Sequence, residues 1–350
     1  MPTMDVVRLH GVRDLRLSRE AVPDPVPGHS LIRLTAVGLC GSDLHWYTDG
    51  GIGDATLSRP VVPGHEFAGV VVRGDREGRR VAVDPALPCG ACFMCLEGHP
   101  NLCPSVGFAG HGVVDGAFRE YMVWRDDRLH VVPDSISDAA AAMLEPLGVA
   151  IHAFDLGHVR LGATVSVIGC GPIGLLLCQV ARVGGADRVI AVDPLEHRRA
   201  VALALGADAA LAPDEARASW GSIAGHGVDA AFEVAGTDDA IDQAMRGVRP
   251  GGRVVLAGIP ADDRSTFTAS LARRKGLTIA MARRMKEVYP RAIRLVERGL
   301  VDVEGLITSR FDLHHTDEAF RTASGRTGIK VVVEIGDFAT SPAERRDHGA

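Results

Sequence analysis

The sequence lacks several features that would direct the chain to nucleic acid, to a membrane or out of the cell. Its 350 residues carry 38 Lys and Arg against 44 Asp and Glu, and this net charge of −6 argues against a nucleic-acid or anionic-membrane partner. The first 20 residues contain no apolar run like that of a secretory signal, so we expect a reducing, cytoplasmic setting. One uncharged run, Thr164 to Ala181, approaches transmembrane length, but glycines and a proline interrupt it and indicate a strand, a turn and a helix.

The composition and the length predict a packed protein with two domains. The chain is 46% hydrophobic and 23% charged, as globular proteins are, and 350 residues suffice for two domains of ordinary size. Residues 1 to about 150 contain short β-branched runs such as Ser30–Leu34, Ala68–Val72 and Arg80–Val83, separated by Gly and Pro. Strands broken by such turn signals predict an antiparallel, barrel-like domain.

The second part of the chain alternates predicted strands and helices. An Ala-rich helical pattern begins at Asp138, and from Ala163 apolar runs such as TVSVIG, RVIAVD and RVVLAG are separated by helical segments. This alternation predicts an α/β unit with a parallel sheet covered on both faces. After residue 283, a predicted helix (Tyr289–Gly299) and a strand (Ile329–Ile335) return to the first domain. We therefore predict one domain from residues 1–150 and 283–350, and another from residues 151–282.

Four cysteines in the first domain have the spacing of a structural zinc site. Cys89, Cys92, Cys95 and Cys103 are separated by steps that let four thiolates meet at one tetrahedral ion. Disulfides and buried apolar cysteines are the alternatives, and a reducing compartment disfavours the disulfides. His99 lies in the last gap and could replace one thiolate, although four cysteines already complete the shell.

A glycine-rich segment has the context of a dinucleotide-binding loop. Gly169, Gly171 and Gly174 directly follow a predicted strand, and Pro172 and Ile173 open the predicted helix beside the cofactor. The first glycine permits a tight turn, the second lets a pyrophosphate approach the backbone, and the third lets the helix pack on the sheet. A glycine-rich turn without function is the alternative, and the correct strand–turn–helix context argues against it.

The acidic residue after the next strand indicates which dinucleotide binds. Asp193 lies 19 residues beyond Gly174, where a carboxylate accepts hydrogen bonds from the ribose 2′-OH and repels a 2′-phosphate. We therefore expect NAD. The basic cluster His197, Arg198 and Arg199 could favour NADP, but it begins four residues too late to replace Asp193; Arg198 remains a candidate cofactor contact.

Three scattered motifs contain the donors of an open metal site. Cys40, the pair His65 and Glu66, and Glu145 together offer a thiolate, an imidazole and carboxylates, a set that can hold zinc and leave a position for substrate. A lone Cys or His is more often an ordinary core residue. The joint presence of these groups favours a metal.

Three residues near these donors have predicted supporting roles. Asp43 is placed to accept the free ring N–H of His65 and to fix its tautomer. Ser42 would lie beside the substrate oxygen, and His45 would relay its proton towards solvent.

These motifs resemble the zinc-dependent medium-chain dehydrogenases, and the similarity runs from end to end. Four segments resemble the polyol branch of that superfamily, the sorbitol, xylitol and iditol dehydrogenases: Cys40–Asp54, Pro63–Glu66, Leu144–Leu147 and Tyr289–Ile293. The resemblance implies a GroES-like barrel that holds the catalytic site and a Rossmann domain that binds NAD. It also implies two zinc ions per chain, the reactive one held by Cys40, His65, Glu66 and Glu145, the last directly or through water.

The implied substrate pocket departs from the polyol enzymes. Those enzymes usually carry tyrosines where this chain has Trp46 and Met285, whereas Arg284 and Phe108 match pocket residues. The segment 110–116 also does not follow the sorbitol enzymes. Because lost hydroxyls remove groups that could read a polyol, the reaction class is better defined than the substrate.

The resemblance implies the reversible oxidation of a secondary, polyol-like alcohol to a ketone, with hydride transfer to NAD. The proton would leave through Ser42, the cofactor ribose and His45. A diol, a sugar acid or threonine is an alternative substrate, and a zinc-stabilised NAD-binding scaffold without turnover is an alternative outside enzymes. The uncharged run Leu277–Ala282 predicts an unprotected edge strand, so we expect a dimer at minimum and a homotetramer by resemblance.

Overall fold

The structure is a computed structural model that describes residues 2–223 and 225–336. Residues 337–350 of the predicted first domain lie outside the described part. The described strands are β1 (Thr3–Gly11), β2 (Asp14–Ala21), β3 (His29–Gly38), β4 (Gly51–Ile52), β5 (Ala55–Thr56), β6 (Glu66–Arg73), β7 (Arg80–Val83), β8 (Ala86–Leu87), β9 (Gly107–Phe108), β10 (Tyr121–Arg125), β11 (Leu129–Val131), β12 (Thr164–Ile168), β13 (Arg188–Val192), β14 (Ala209–Leu211), β15 (Val228–Glu233), β16 (Val248–Leu256), β17 (Thr278–Met281), β18 (Ile307–Asp312) and β19 (Lys330–Glu334). The described α-helices are α1 (Gly41–Asp49), α2 (Phe93–Leu96), α3 (Asp138–Ala142), α4 (Leu144–Gly157), α5 (Pro172–Val183), α6 (Glu196–Ala204), α7 (Pro213–Ile223), α8 (Asp238–Gly247), α9 (Ala269–Lys275), α10 (Tyr289–Glu297) and α11 (Thr316–Ser324).

The main sheet of the first domain is built around β3. Its strand order is β11-β7-β6-β3-β19-β18, with β10 also paired to β3, and its neighbours are antiparallel apart from β18 and β19. The three runs predicted as strands lie within β3, β6 and β7. The predicted antiparallel, barrel-like domain is therefore confirmed. Its interior is apolar and includes Phe67, Phe118 and Phe320, each at most 1% exposed.

The C-terminal part of the chain returns to this sheet. β19 pairs antiparallel with β3, with Val332 opposite Gly38. The return agrees with a discontinuous first domain. The predicted limit between residues 150 and 151 falls inside α4, which is a continuous apolar helix, and the limits themselves stay a prediction.

The second sheet is parallel throughout, as its alternating pattern predicts. Its order is β14-β13-β12-β15-β16-β17, so the strand order reverses direction between β12 and β15. Such a reversal opens a crevice at the carboxyl ends of the strands, where doubly wound proteins bind their ligands. The sequence did not predict β14, a three-residue strand whose two alanines give little β signal. The predicted edge strand is present as β17, which pairs only with β16 in the described sheet.

The segment Asp138–Gly157 is apolar and long enough to cross a membrane, and it is the one such segment in the described residues. In the fold, 78% of its most apolar stretch is buried. It forms α3 and α4, which pack into a cluster that includes Val165 and Phe232 of the parallel sheet. Its apolar character is therefore explained by its place in the core.

Candidate active site and metal centres

Strand register brings the reactive donors together. Cys40 directly precedes α1, just after β3, whereas His65 and Glu66 lie at the start of β6. Because Gly38 of β3 pairs with Glu66, the end of one strand meets the beginning of the other. One donor atom from each of Cys40, His65 and Glu66 lies within 4.8 Å of the others. Tetrahedral zinc with bonds of about 2.0–2.3 Å needs donors roughly 3.3–3.8 Å apart, so this set can close on the ion with small movements.

The Glu66 carboxylate is paired with a buried lysine that the sequence analysis did not identify. Lys330 opens β19, and its ammonium donates to Glu66 Oε2; both side chains are 1% exposed. Although burial alone would lower it, the Glu66 carboxylate keeps the pKa of Lys330 raised, so the lysine is charged. A Cβ on Gly38 would overlap Glu66 Oε2, which explains the glycine. The one feature of the sequence that could have drawn attention to Lys330 is the scarcity of lysine, since the 38 Lys and Arg residues include only 3 lysines.

The His65 ring is held between two residues of α1. Its Nε2 atom lies 3.4 Å from Ser42 Oγ, and its Nδ1 atom lies 3.4 Å from Asp43 Oδ1. The distance between His65 Nδ1 and Asp43 Oδ1 is short enough for an ion pair, but Nδ1 makes no hydrogen bond with any described residue. Asp43 also accepts the backbone N–H groups of Cys40 (3.0 Å) and Gly64 (3.1 Å), so it fixes the segments that carry the donors.

The electrostatics of this cluster favour a bound cation. Burial lowers the pKa of His65, but the Asp43 carboxylate and the Cys40 thiol outweigh it and hold that pKa well above its usual range. A field that favours a proton on a buried imidazole also favours a divalent ion in the proton's place. The chemistry of the donors therefore fits zinc.

Glu145, the fourth predicted ligand, lies outside the compact set of three donors. It is the second residue of α4 and is 4% exposed. Burial, reinforced by the Glu66 carboxylate and opposed by His65, raises its pKa to about 8. Because the charges of His65 and Glu66 influence its pKa, Glu145 lies near the three donors. That it coordinates zinc stays a prediction.

His45 lies in the middle of α1. Its Nδ1 atom is 2.9 Å from Asp49 Oδ2, and 28% of its side chain is exposed. The position at the border with solvent agrees with the predicted proton relay, which stays a prediction.

Two of the predicted pocket residues, Phe108 and Arg284, form a wall beside the His65 ring. The Phe108 and His65 ring centroids are 5.3 Å apart, and the Arg284 guanidinium carbon lies 3.9 Å from the Phe108 centroid. Trp46 is 1% exposed and Met285 is 7% exposed. The role of Trp46, Phe108 and Arg284 as substrate contacts stays a prediction.

The wall contains a further residue, His111, which the sequence analysis did not single out. Its ring makes edge contacts with His65 and Phe108, both at 5.1 Å between centroids, and with Trp46 at 5.8 Å. Burial lowers the pKa of His111 to about 3, so its ring is neutral near pH 7. The only signal in the sequence was that the segment 110–116 departs from the sorbitol enzymes.

The four cysteines predicted to bind a structural zinc ion lie close together. One thiol sulfur from each of Cys89, Cys92, Cys95 and Cys103 lies within 4.8 Å of the others, and the four are free thiols. The backbone N–H groups of Ala91 and Cys92 lower the pKa of Cys89 to about 6 and favour its thiolate, the form that binds zinc, whereas burial raises the pKa of Cys95 to about 12. His99 does not belong to this group of donors.

The glycine-rich loop joins β12 to α5 at the crevice of the parallel sheet. Gly169 has φ of +105°, a conformation that other residues rarely adopt, and Gly171 caps α5, whose first residues are Pro172 and Ile173. A Cβ on Gly174 would overlap the carbonyl oxygen of Gly169. The helix N-terminus and its free N–H groups are therefore available to a pyrophosphate.

Asp193 follows β13 and is buried beneath this loop. Its carboxylate accepts the N–H of Cys170 at 2.7 Å and that of Leu195 at 2.8 Å. The sequence did not reveal this role, in which Asp193 orders the glycine-rich loop itself.

The basic cluster beyond Asp193 is only partly solvated. His197 is exposed to solvent. Arg199 instead donates hydrogen bonds to the carbonyl oxygens of Asp193 and Pro194, so it is tied to the backbone. Arg198 reaches towards Gly171, because its Nη1 atom would lie 3.9 Å from a Cβ there, and its buried Nε atom has no partner in the described residues.

A barrel domain with a cysteine–histidine–glutamate site, joined to a dinucleotide-binding sheet, defines the class of metal-dependent nicotinamide dehydrogenases. The comparisons with known proteins agree. Residues 26–134 match the alcohol dehydrogenase GroES-like domain, and residues 172–298 match the zinc-binding dehydrogenase domain. The chain is 35% identical to a sorbitol dehydrogenase of Bacillus subtilis over 332 residues, covering 91% of this chain and 93% of the relative.

Solved structures give the same answer. L-idonate 5-dehydrogenase of Escherichia coli superposes with a TM-score of 0.90 at 27% identity, covering 95% of this chain and 98% of that one. A zinc-binding dehydrogenase from Sinorhizobium meliloti 1021, solved with NADP bound, has a TM-score of 0.87 at 30% identity, with 95% and 100% coverage. The chain belongs to the zinc-binding dehydrogenase family, and it is a zinc- and nicotinamide-dependent alcohol dehydrogenase.

Proposed function

We propose that this enzyme oxidises a secondary hydroxyl of a polyol-like substrate to a ketone and uses NAD as the hydride acceptor. The observation that carries the proposal is the convergence of one donor atom from each of Cys40, His65 and Glu66 within 4.8 Å, beside the rings of Phe108 and His111. The relative named sorbitol dehydrogenase, similar over 91% of this chain, supports the substrate class.

The three donors would hold the reactive zinc, with Glu145 binding directly or through water. Zinc would supply Lewis acidity that lowers the pKa of the substrate hydroxyl, and the nicotinamide would accept hydride. Ser42, 3.4 Å from His65 Nε2, lies where it can take the hydroxyl proton, and His45 can pass a proton to solvent beside Asp49.

NAD is the proposed cofactor because Asp193 stands at the end of the second strand. The buried Asp193 carboxylate would accept a hydrogen bond from the ribose 2′-OH and would repel a 2′-phosphate. Gly169, Gly171, Pro172, Ile173 and Gly174 would bind the pyrophosphate. Arg198, which reaches over the loop, would contact the nucleotide.

We also propose two zinc ions per chain, the second held by the four-cysteine cluster, and a homotetramer built from dimers. The edge strand β17 supports dimerisation, since Met281 is 68% exposed and β17 pairs with β16 alone among the described strands. A cytoplasmic location fits the four free thiols of the cluster.

A spectrophotometric screen of NAD reduction over polyols, diols and hydroxy acids tests the function. We expect the purified enzyme to contain two zinc ions per chain and to turn over at least one polyhydroxylated secondary alcohol. A non-catalytic scaffold would hold one zinc ion and reduce NAD with none of these alcohols.

A further inference from the structure

We propose that Arg284 and His111 form a subsite for a carboxylate on the substrate, so that the alcohol oxidised is a polyhydroxy acid. The inference rests on the proposed function, because it describes the substrate of the same pocket. It follows from three side chains near His65, namely Trp46, His111 and Arg284, each of which has a buried nitrogen without a hydrogen-bond partner among the described residues.

The unmet groups are concentrated in the pocket wall. Arg284 Nη1, His111 Nε2 and Trp46 Nε1 are buried, and none has a hydrogen-bond partner among the described residues. The rings connect them in space, since His111 contacts Trp46 and Phe108, and Arg284 lies over Phe108. Buried polar groups are almost always hydrogen-bonded in folded proteins, so we infer that a bound ligand pairs with these three nitrogens.

The three unpaired nitrogen atoms need a hydrogen-bond acceptor as their partner. Arginine and tryptophan side chains only donate hydrogen bonds, and an imidazole ring such as that of His111 can donate from at least one nitrogen. A carboxylate only accepts, and it can take two donors at once, as the planar guanidinium favours. A hydroxyl can accept as well, but its own proton then needs a further partner.

The charge of Arg284 has no counter-ion in the described pocket. No carboxylate oxygen of the described residues lies within 4.0 Å of its guanidinium. Two carboxylates act on the Arg284 charge without contacting it; Asp84 is paired with Arg128, and Glu145 is the predicted fourth zinc ligand. A neutral alditol would leave this cation uncompensated, whereas a carboxylate would pair with it.

Matched pairs of substrates test the subsite. The zinc-loaded enzyme is assayed with sorbitol against gluconate, xylitol against xylonate and galactitol against galactonate, each pair differing in one terminal carboxylate. We expect kcat/KM for the acid to exceed that for its alditol by about tenfold or more in at least one pair, as one charge-assisted contact allows.

Variants locate the effect. Arg284→Gln should reduce the acid-to-alditol ratio by about ten- to hundredfold, and Arg284→Lys should retain part of it because the charge remains. His111→Gln should raise KM for the acid more than it changes kcat. Arg283→Gln is the matched control, since it removes the same charge from the exposed neighbouring residue and should leave the ratio unchanged.

A binding measurement separates this inference from the proposed function. Quenching or enhancement of NADH fluorescence gives Kd for gluconate and for sorbitol without turnover. If no alcohol reduces NAD, the proposed function fails, and tighter binding of gluconate that disappears in Arg284→Gln still supports the subsite. Equal or better use of alditols, a ratio insensitive to Arg284→Gln, or a preference for sorbitol 6-phosphate over both partners of the pair would overturn the carboxylate assignment.

Discussion

Replacing Lys330 by methionine should destabilise the protein strongly, because it leaves the Glu66 carboxylate buried without its cation. Both side chains are 1% exposed, and water cannot replace the lost contact. Breaking such a buried pair by removing one partner costs about 3–5 kcal/mol. With an unfolding entropy of about 0.7 kcal/mol/K for a chain of 350 residues, the midpoint of thermal unfolding should fall by about 4–7 °C.

Scanning calorimetry or circular dichroism on the purified variants measures this shift. Lys286→Met is the matched control, since Lys286 has no ion pair among the described residues, and it should change the midpoint little. Glu66→Gln combined with Lys330→Met should recover part of the loss, because a neutral amide needs no cation. Saturating zinc should also reduce the deficit, since the ion would balance the carboxylate. A Lys330→Met protein that melted within about 1 °C of the parent would refute the reasoning.

Three further predictions concern the metals, the cofactor and the assembly. Cys95→Ser should impair folding, since structural zinc contributes folding energy, whereas Cys40→Ser should give a folded protein that binds NADH without activity; near-normal turnover of Cys40→Ser would contradict the reactive site. The enzyme should prefer NAD over NADP by at least about tenfold in kcat/KM, and Asp193→Ala should narrow that gap; equal use by the parent would redirect attention to Arg198. Light scattering should give a mass of a dimer or tetramer, and a mass near 37.0 kDa at micromolar concentration would exclude the assembly through β17.

Features that depend on residues close together in the chain could be predicted from the order of the amino acids. The spacing of Cys89, Cys92, Cys95 and Cys103 limits how far four sulfurs can separate, so their convergence followed from local chain geometry. The loop at Gly169 was equally predictable, because a strand, a tight turn and a helix follow each other without interruption. Resemblance to the zinc dehydrogenases then identified Cys40, His65 and Glu66 as partners.

Contacts between side chains that are distant in the sequence could not be predicted, because they depend on how the sheets assemble. Lys330 reaches Glu66 because β3 pairs with β6 on one side and with β19 on the other, and this register has no signal in sequence spacing. His111 joins the pocket through contacts with three rings, although its own segment looks like an ordinary glycine-rich turn. Asp193 supports the loop that it follows by 19 residues because parallel strands bring their carboxyl ends to one edge of the sheet. Local geometry thus follows from the order of residues, whereas pairing across the sheet depends on packing and register, which the whole chain determines together.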